Sequence, residues 1–183
     1  FDLAAVDMSD PAVGKALTEY VGRMRGTVGI LCFSRNWDNI LLWSHYGASH
    51  TGICLGFDVP GDYKLDVHYQ PNVLRIRGPQ DVNDELQLDM LRTKHESWSY
   101  EQEVRVIVKI NDPPDETGLW WADFGPKLEL REVIAGAQCS KADLRELELV
   151  LKPYGNAVER GWAYMRLDAF LLIRHSFPPP WFG

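Results

Sequence analysis

Glu103-Val104-Arg105-Val106-Ile107-Val108-Lys109-Ile110 is the stretch on which the fold reading turns. Val104, Val106 and Val108 point one way; Glu103, Arg105, Ile107 and Lys109 point the other. That period of two belongs to a strand. Two apolar runs upstream, residues 27–34 and 52–59, suit buried strands, and residues 65–69 read as a further strand of alternating character.

Helical spacing separates these strands. Val13, Leu17, Tyr20, Val21 and Met24 recur at three and four residues over 11–25, with Pro11 suited to a first turn and Gly26 to an end. Residues 39–45 predict a short helix with Ile40, Leu41 and Trp43 near the core, stopped by Gly47. The longest helix is expected over 81–97, where Val82, Leu86, Met90 and Leu91 form a stripe while Asp84, Glu85, Asp89 and Lys94 face water. Residues 111–118 read as an exposed loop and 130–136 as a strand. Ser140 and Asp143 resemble a capping box opening a helix to Leu151, with Leu144, Leu147 and Leu151 inward, closed by Pro153 and Gly155. A hairpin-like region over 162–175 follows, then an extended Pro178-Pro179-Pro180 tail. Strands and helices mix without a βαβ rhythm. The expectation is one α+β domain over 1–183, with a mostly antiparallel sheet, helices packed on it and no dividing linker.

The chain has 183 residues, a formal net charge of −7 and 45% hydrophobic content, which bounds it to one ordinary globular domain. An acidic balance argues against broad binding to nucleic acid or anionic membrane. Cys32, Cys54 and Cys139 are odd in number and read as core residues of a protein in a reducing, cytoplasmic compartment. No apolar run approaches the roughly 20 residues that cross a bilayer. Because the chain opens at Phe1 without an initiator Met, it reads as N-terminally truncated.

Two segments are dense in chemistry-bearing side chains. In Trp43-Ser44-His45-Tyr46-Gly47-Ala48-Ser49-His50-Thr51-Gly52, His45 can donate and accept and Tyr46 offers a stacking ring. The bland reading makes Trp43 and Tyr46 core aromatics and Ser49-His50 a turn. In Trp98-Ser99-Tyr100-Glu101-Gln102-Glu103-Val104-Arg105, Glu101 and Glu103 are two apart at a strand start and so share a face. Paired carboxylates repel, which suits acid–base work or the holding of a cation-like transition state. Arg105 on that face would offset their charge or bind a phosphate. The bland reading is a solvated face with a Glu–Arg pair worth well under ~1 kcal/mol. His45 and His50 lack helical zinc-pair spacing, and no C-x-x-C, GxGxxG, P-loop or G-x-S-x-G occurs, so no metal is expected. Glu129-Leu130-Arg131 is the nearest approach to a nuclease Glu-x-Lys, with Arg a poor substitute.

Cys32-Phe33-Ser34, then Leu42-Trp43-Ser44-His45-Tyr46, then His50-Thr51-Gly52-Ile53-Cys54-Leu55-Gly56-Phe57-Asp58 resemble a bacterial family catalogued as domain of unknown function 2971. Lys94, Trp98, Tyr100-Glu101, Glu103 and Arg105 look like its second signature, and Phe1-Asp2 like the end of an Asn-Asp-Pro-Phe-Asp element. The likeness spans 28–110 well and the remainder loosely. The family's arrangement is similar to that of ADP-ribosyltransferase-like domains. The resemblance then implies NAD as substrate, Ser34 as the middle-strand residue, Tyr46 stacking on nicotinamide beside Trp43, and Glu103 as catalytic carboxylate with Glu101 two before it. Arg105 or Arg35 would hold a pyrophosphate oxygen, and His45 would orient a hydroxyl. The first-strand residue of such domains has no counterpart in this chain. A carboxylate beside the ribose would stabilise the oxocarbenium formed as nicotinamide leaves. The implied activity is NAD-dependent ADP-ribosyl transfer or NAD hydrolysis in a toxin or phage-defence setting. The alternative is a non-catalytic nucleotide- or protein-binding module; a metal-dependent nuclease ranks third.

Overall fold

A computed structural model of the chain describes residues 9–24, 27–111 and 113–177, leaving the Met24 side chain aside. The expectations for Gly26, for the Phe1-Asp2 element and for the Pro178–Pro180 tail lie outside those residues. The architecture is α+β, with mostly antiparallel strand pairing and helices. The described residues form two compact units. One holds those up to Arg35 together with Gly61–Ala122; the other holds Asn36–Pro60 and those from Asp123 onward. The chain passes between them after Arg35, Pro60 and Ala122, so no single composition break marks the division.

The first unit carries a three-stranded antiparallel sheet. β1 (Val28–Ser34) and β3 (Lys64–Asp66) flank β6 (Glu103–Lys109), with Ser34 opposite Glu103 and Cys32 opposite Arg105. Val104 and Val106 of β6 are each 5% exposed, as their alternation predicts. Helix α1 (Pro11–Met24) buries Val13, Leu17 and Tyr20. Leu17 meets Met90 of α3 (Asp84–Arg92), with Val82 and Leu86 beside them. The Asn83 side chain caps α3 by accepting from the Glu85 and Leu86 amides at 3.0 and 3.1 Å.

Two expectations fail in this unit. The 65–69 strand is two strands, β3 and β4 (His68–Gln70), in different sheets, with buried Val67 between them. The 81–97 helix stops at Arg92. Thr93 turns extended, β5 (Thr93–His95) pairs in parallel with β4, and 96–101 winds as 3₁₀ turns. The apolar stripe ends at Leu91, so no buried face rewards further α-turns, and β-branched Thr93 favours a strand.

The second unit has a four-stranded sheet in the order β2 (Ile53–Asp58), β7 (Glu129–Ala135), β8 (Glu159–Met165) and β9 (Leu172–Ser176). β7 and β8 run parallel, joined through α4 (Lys141–Leu151); the other pairs are antiparallel. The N-cap half of the expected capping box forms: Ser140 Oγ accepts from the Asp143 amide at 3.1 Å, and its hydroxyl donates to the Asp143 carboxylate at 2.6 Å. Trp43 of α2 (Ile40–His45) packs on Ile134, Ala163 and Leu172. Contrary to expectation Leu41 faces solvent, and β2 is a half-covered edge strand with Ile53 and Leu55 exposed. The apolar 52–59 run therefore reflects a strand with only one neighbour rather than a buried one. Among the described residues no helix is long and apolar enough to cross a membrane.

Candidate functional site

The seven residues singled out by sequence divide between the units. Ser34, Glu101, Glu103 and Arg105 belong to the first; Trp43, His45 and Tyr46 to the second. In the first unit they meet a residue given no role above, Lys94. Its ammonium binds Glu101 and lies 2.9 Å from Glu103 Oε2. Arg105 Nε donates to Glu103 Oε1 at 2.7 Å, and its Nη1 donates to the Leu91 carbonyl at 2.5 Å. Two carboxylates and two cations thus form a formally neutral quartet. Glu101 and Glu103 are 4% and 6% exposed, so the solvated face expected for them is corrected to a buried one.

Local structure explains the convergence. Glu101 is not on the strand: it ends the 3₁₀ turns, and Gln102 takes a left-handed conformation (φ 44°) before β6 begins. The shared-face argument was therefore right in outcome and wrong in cause. β4 and β5 bring the other partners, since Tyr69 and Lys94 are register neighbours and the Tyr69 hydroxyl accepts the Glu103 amide at 2.8 Å. The Trp98 ring lies over Lys94 Nζ, 5.0 Å from the ring centre, and shields it. Lys94, expected to face water, turns inward because two buried carboxylates need its charge.

The electrostatics follow. Burial pushes the Glu103 carboxyl up, but hydrogen bonds from Arg105, Lys94 and Cys32 outweigh it and bring it down to about 2. Loss of water, then the hydrogen bond and charge of Glu103, push the Cys32 thiol up to about 11. Cys32 still exposes surface, so its reading as a core residue is corrected; Cys139 is buried and Cys54 intermediate. A carboxylate has roughly four lone-pair positions. Arg105 Nε and Nη2 and Lys94 Nζ take three of those on Glu103.

In the second unit Trp43 is 3% exposed and gives its indole N–H to the Trp37 carbonyl at 2.6 Å. It is a core aromatic, not a ligand platform. Tyr46 is 68% exposed at the helix end, with its ring edge-on to His45 at 6.3 Å. Sequence reasoning read His50 as part of a turn and not as a zinc partner of His45. The His50 ring stacks parallel to Trp43, 6.3 Å between centres, after three successive left-handed residues, Ala48, Ser49 and His50. A turn there was legible; its handedness was not, because none of the three is glycine. Among the described residues no group of three or more His, Cys, Asp or Glu side chains is arranged to hold a metal ion. No protein-family model, curated protein or solved structure matches this chain.

Proposed function

We propose that this chain is a non-catalytic nucleotide-recognition module in which Glu103 organises the protein rather than reacting. One observation carries the reading: Glu103 is buried and already bound by the Lys94 and Arg105 cations on both of its oxygens. A ribose hydroxyl would have to displace one of those donors and strand a buried charge. The resemblance to the bacterial family, with its ADP-ribosyltransferase-like arrangement, supports a nucleotide as ligand. Arg35 follows Ser34 and is half exposed, and its guanidinium pairs with the exposed Asp66 carboxylate. An exposed pair of that kind is worth ~0–1 kcal/mol, so a phosphate can recruit the guanidinium.

A second reading, NAD-dependent ADP-ribosyl transfer or NAD hydrolysis in a toxin or phage-defence setting, has its own support. Ser34 lies opposite Glu103, and Glu103 stays ionised at neutral pH, as a carboxylate facing an oxocarbenium must. Thermal-shift titration with NAD, ADP-ribose and ATP, run beside a nicotinamide-release assay, separates the two. Recognition predicts a raised melting temperature with NAD intact. Release of nicotinamide that Glu103→Gln abolishes would establish the second reading, and no shift with any nucleotide would sink the first.

A further inference from the structure

A groove of about 340 Å³ lies in the second unit. His50, Gln138, Trp162, Tyr164 and Met165 line it. Trp162 and Tyr164 alternate on β8, so both rings stand on one face, 5.9 Å apart and tilted by 30°. Among the described residues no Lys, Arg, Asp or Glu lines the groove. Such walls suit a flat, uncharged ring.

His50 supplies the polar specificity, and its tautomer follows from its neighbours. The Ser44 hydroxyl donates its single proton to the Ile40 carbonyl at 3.1 Å. With that proton spent, we assign the 3.3 Å contact with His50 Nε2 as Nε2–H donating to Oγ. In the neutral ring that leaves Nδ1 as an acceptor, and Nδ1 is buried without a hydrogen-bond partner. An unmade buried hydrogen bond of this kind is costly. The surrounding backbone enforces it. Residues 48–50 are all left-handed, and the His50 amide and carbonyl are tied to the Trp43 carbonyl at 3.2 Å and the Gln138 amide at 2.9 Å. A Cβ on Gly136 would lie 2.1 Å from the His50 carbonyl oxygen, so only glycine lets the two segments meet. Strain held by so many contacts gathers where a side chain must be kept in place.

We infer that this groove binds a neutral planar heteroaromatic ring that carries an N–H donor, stacked by Trp162 and Tyr164 and hydrogen-bonded to His50 Nδ1. Nicotinamide and adenine are of that class; a phosphate or carboxylate is not. Reaching Nδ1 takes a side-chain adjustment of the wall, common on binding. The inference stands on the second unit alone and does not rest on the nucleotide reading: binding of the free rings without binding of whole nucleotides would sink that reading and leave this one.

The test follows the imidazole nitrogen resonances of His50 in the full chain during titration with nicotinamide, adenine and benzoate. Nicotinamide and adenine should move them saturably, and benzoate, flat but without a donor, should not. His50→Asn, which tolerates the left-handed backbone, should weaken nicotinamide binding about tenfold, read by calorimetry. Should that variant fail to fold, Tyr164→Leu carries the same expectation through lost stacking. Ser44→Ala, which frees the tautomer without touching the ligand, should give a smaller loss. No saturable movement with either ring, equal movement with benzoate, or binding unchanged in the folded variants would overturn the inference.

Discussion

Lys94 is the residue whose removal tests the quartet most directly. It is shared by two buried carboxylates, and taking it away strands negative charge that Arg105 alone must balance. Lys94→Met should lower stability at neutral pH by about 3 kcal/mol, measured by denaturant unfolding. The deficit should shrink on acidification, because protonating one carboxylate relieves the repulsion. Cys32 offers a second check on the same contacts. With its thiol pushed up to about 11, its thiolate population at pH 8 is about a hundredfold below that of an ordinary cysteine. Alkylation of Cys32 by iodoacetamide should slow accordingly and should quicken in Glu103→Gln, which removes the neighbouring charge; mass spectrometry of the labelled peptide reads both. None of this was legible from the Glu-x-Glu spacing. That pattern gave the two carboxylates but not their burial, which depends on Lys94 and Tyr69 arriving from a ladder between distant segments.

Among the elements, α4 and the 47–52 turn lie at opposite ends of legibility. The Ser140 cap follows from a local pattern, a hydroxyl three residues before a carboxylate, and the structure forms it with Leu144 and Leu151 inward. Ser140→Ala should cost about 1 kcal/mol by thermal or denaturant unfolding. The turn is different. Its left-handed residues are held by Gly136, more than eighty positions away, so nothing local announces them. Gly136→Ala would drive a methyl into the His50 carbonyl. We expect a variant that either fails to fold or loses the His50–Trp43 stacking, seen as changed near-ultraviolet dichroism; an unaltered spectrum and melting point would contradict the packing. The truncated α3 teaches the same lesson. Its stripe ended where the helix ended, but the hydrophilic residues after it suited a helix equally well until β4 supplied a partner for β5.

For the molecule as a whole, Glu103 contributes to the acid limb of stability. Its carboxyl is lower in the fold than its ordinary value of 4.5, at about 2. The unfolded chain therefore binds the proton first. The stabilisation is complete above pH ~4.5 and is lost as pH falls towards 2, with a magnitude of roughly 3 kcal/mol. Unfolding free energy measured from pH 6 to pH 2 should fall steeply through that window in the parent chain. In Glu103→Gln it should start lower and fall less; a parallel curve would remove Glu103 from the account.

What the residues determined by themselves was local: the existence of the strongly periodic elements, the inward Val104 and Val106 of β6, the cap of α4, and the mixed α+β character. These follow from periods of two and three to four residues and from side chains bonding their own backbone, whereas weakly patterned stretches such as 93–97 took the form a distant strand gave them. Only the tertiary structure decided that a water-facing lysine would serve two carboxylates, that one continuous strand would be two, and that a ring nitrogen of His50 would be buried without a hydrogen-bond partner. Each of those depends on the energy of a buried charge or polar atom, which is set by whatever the fold brings within hydrogen-bonding distance.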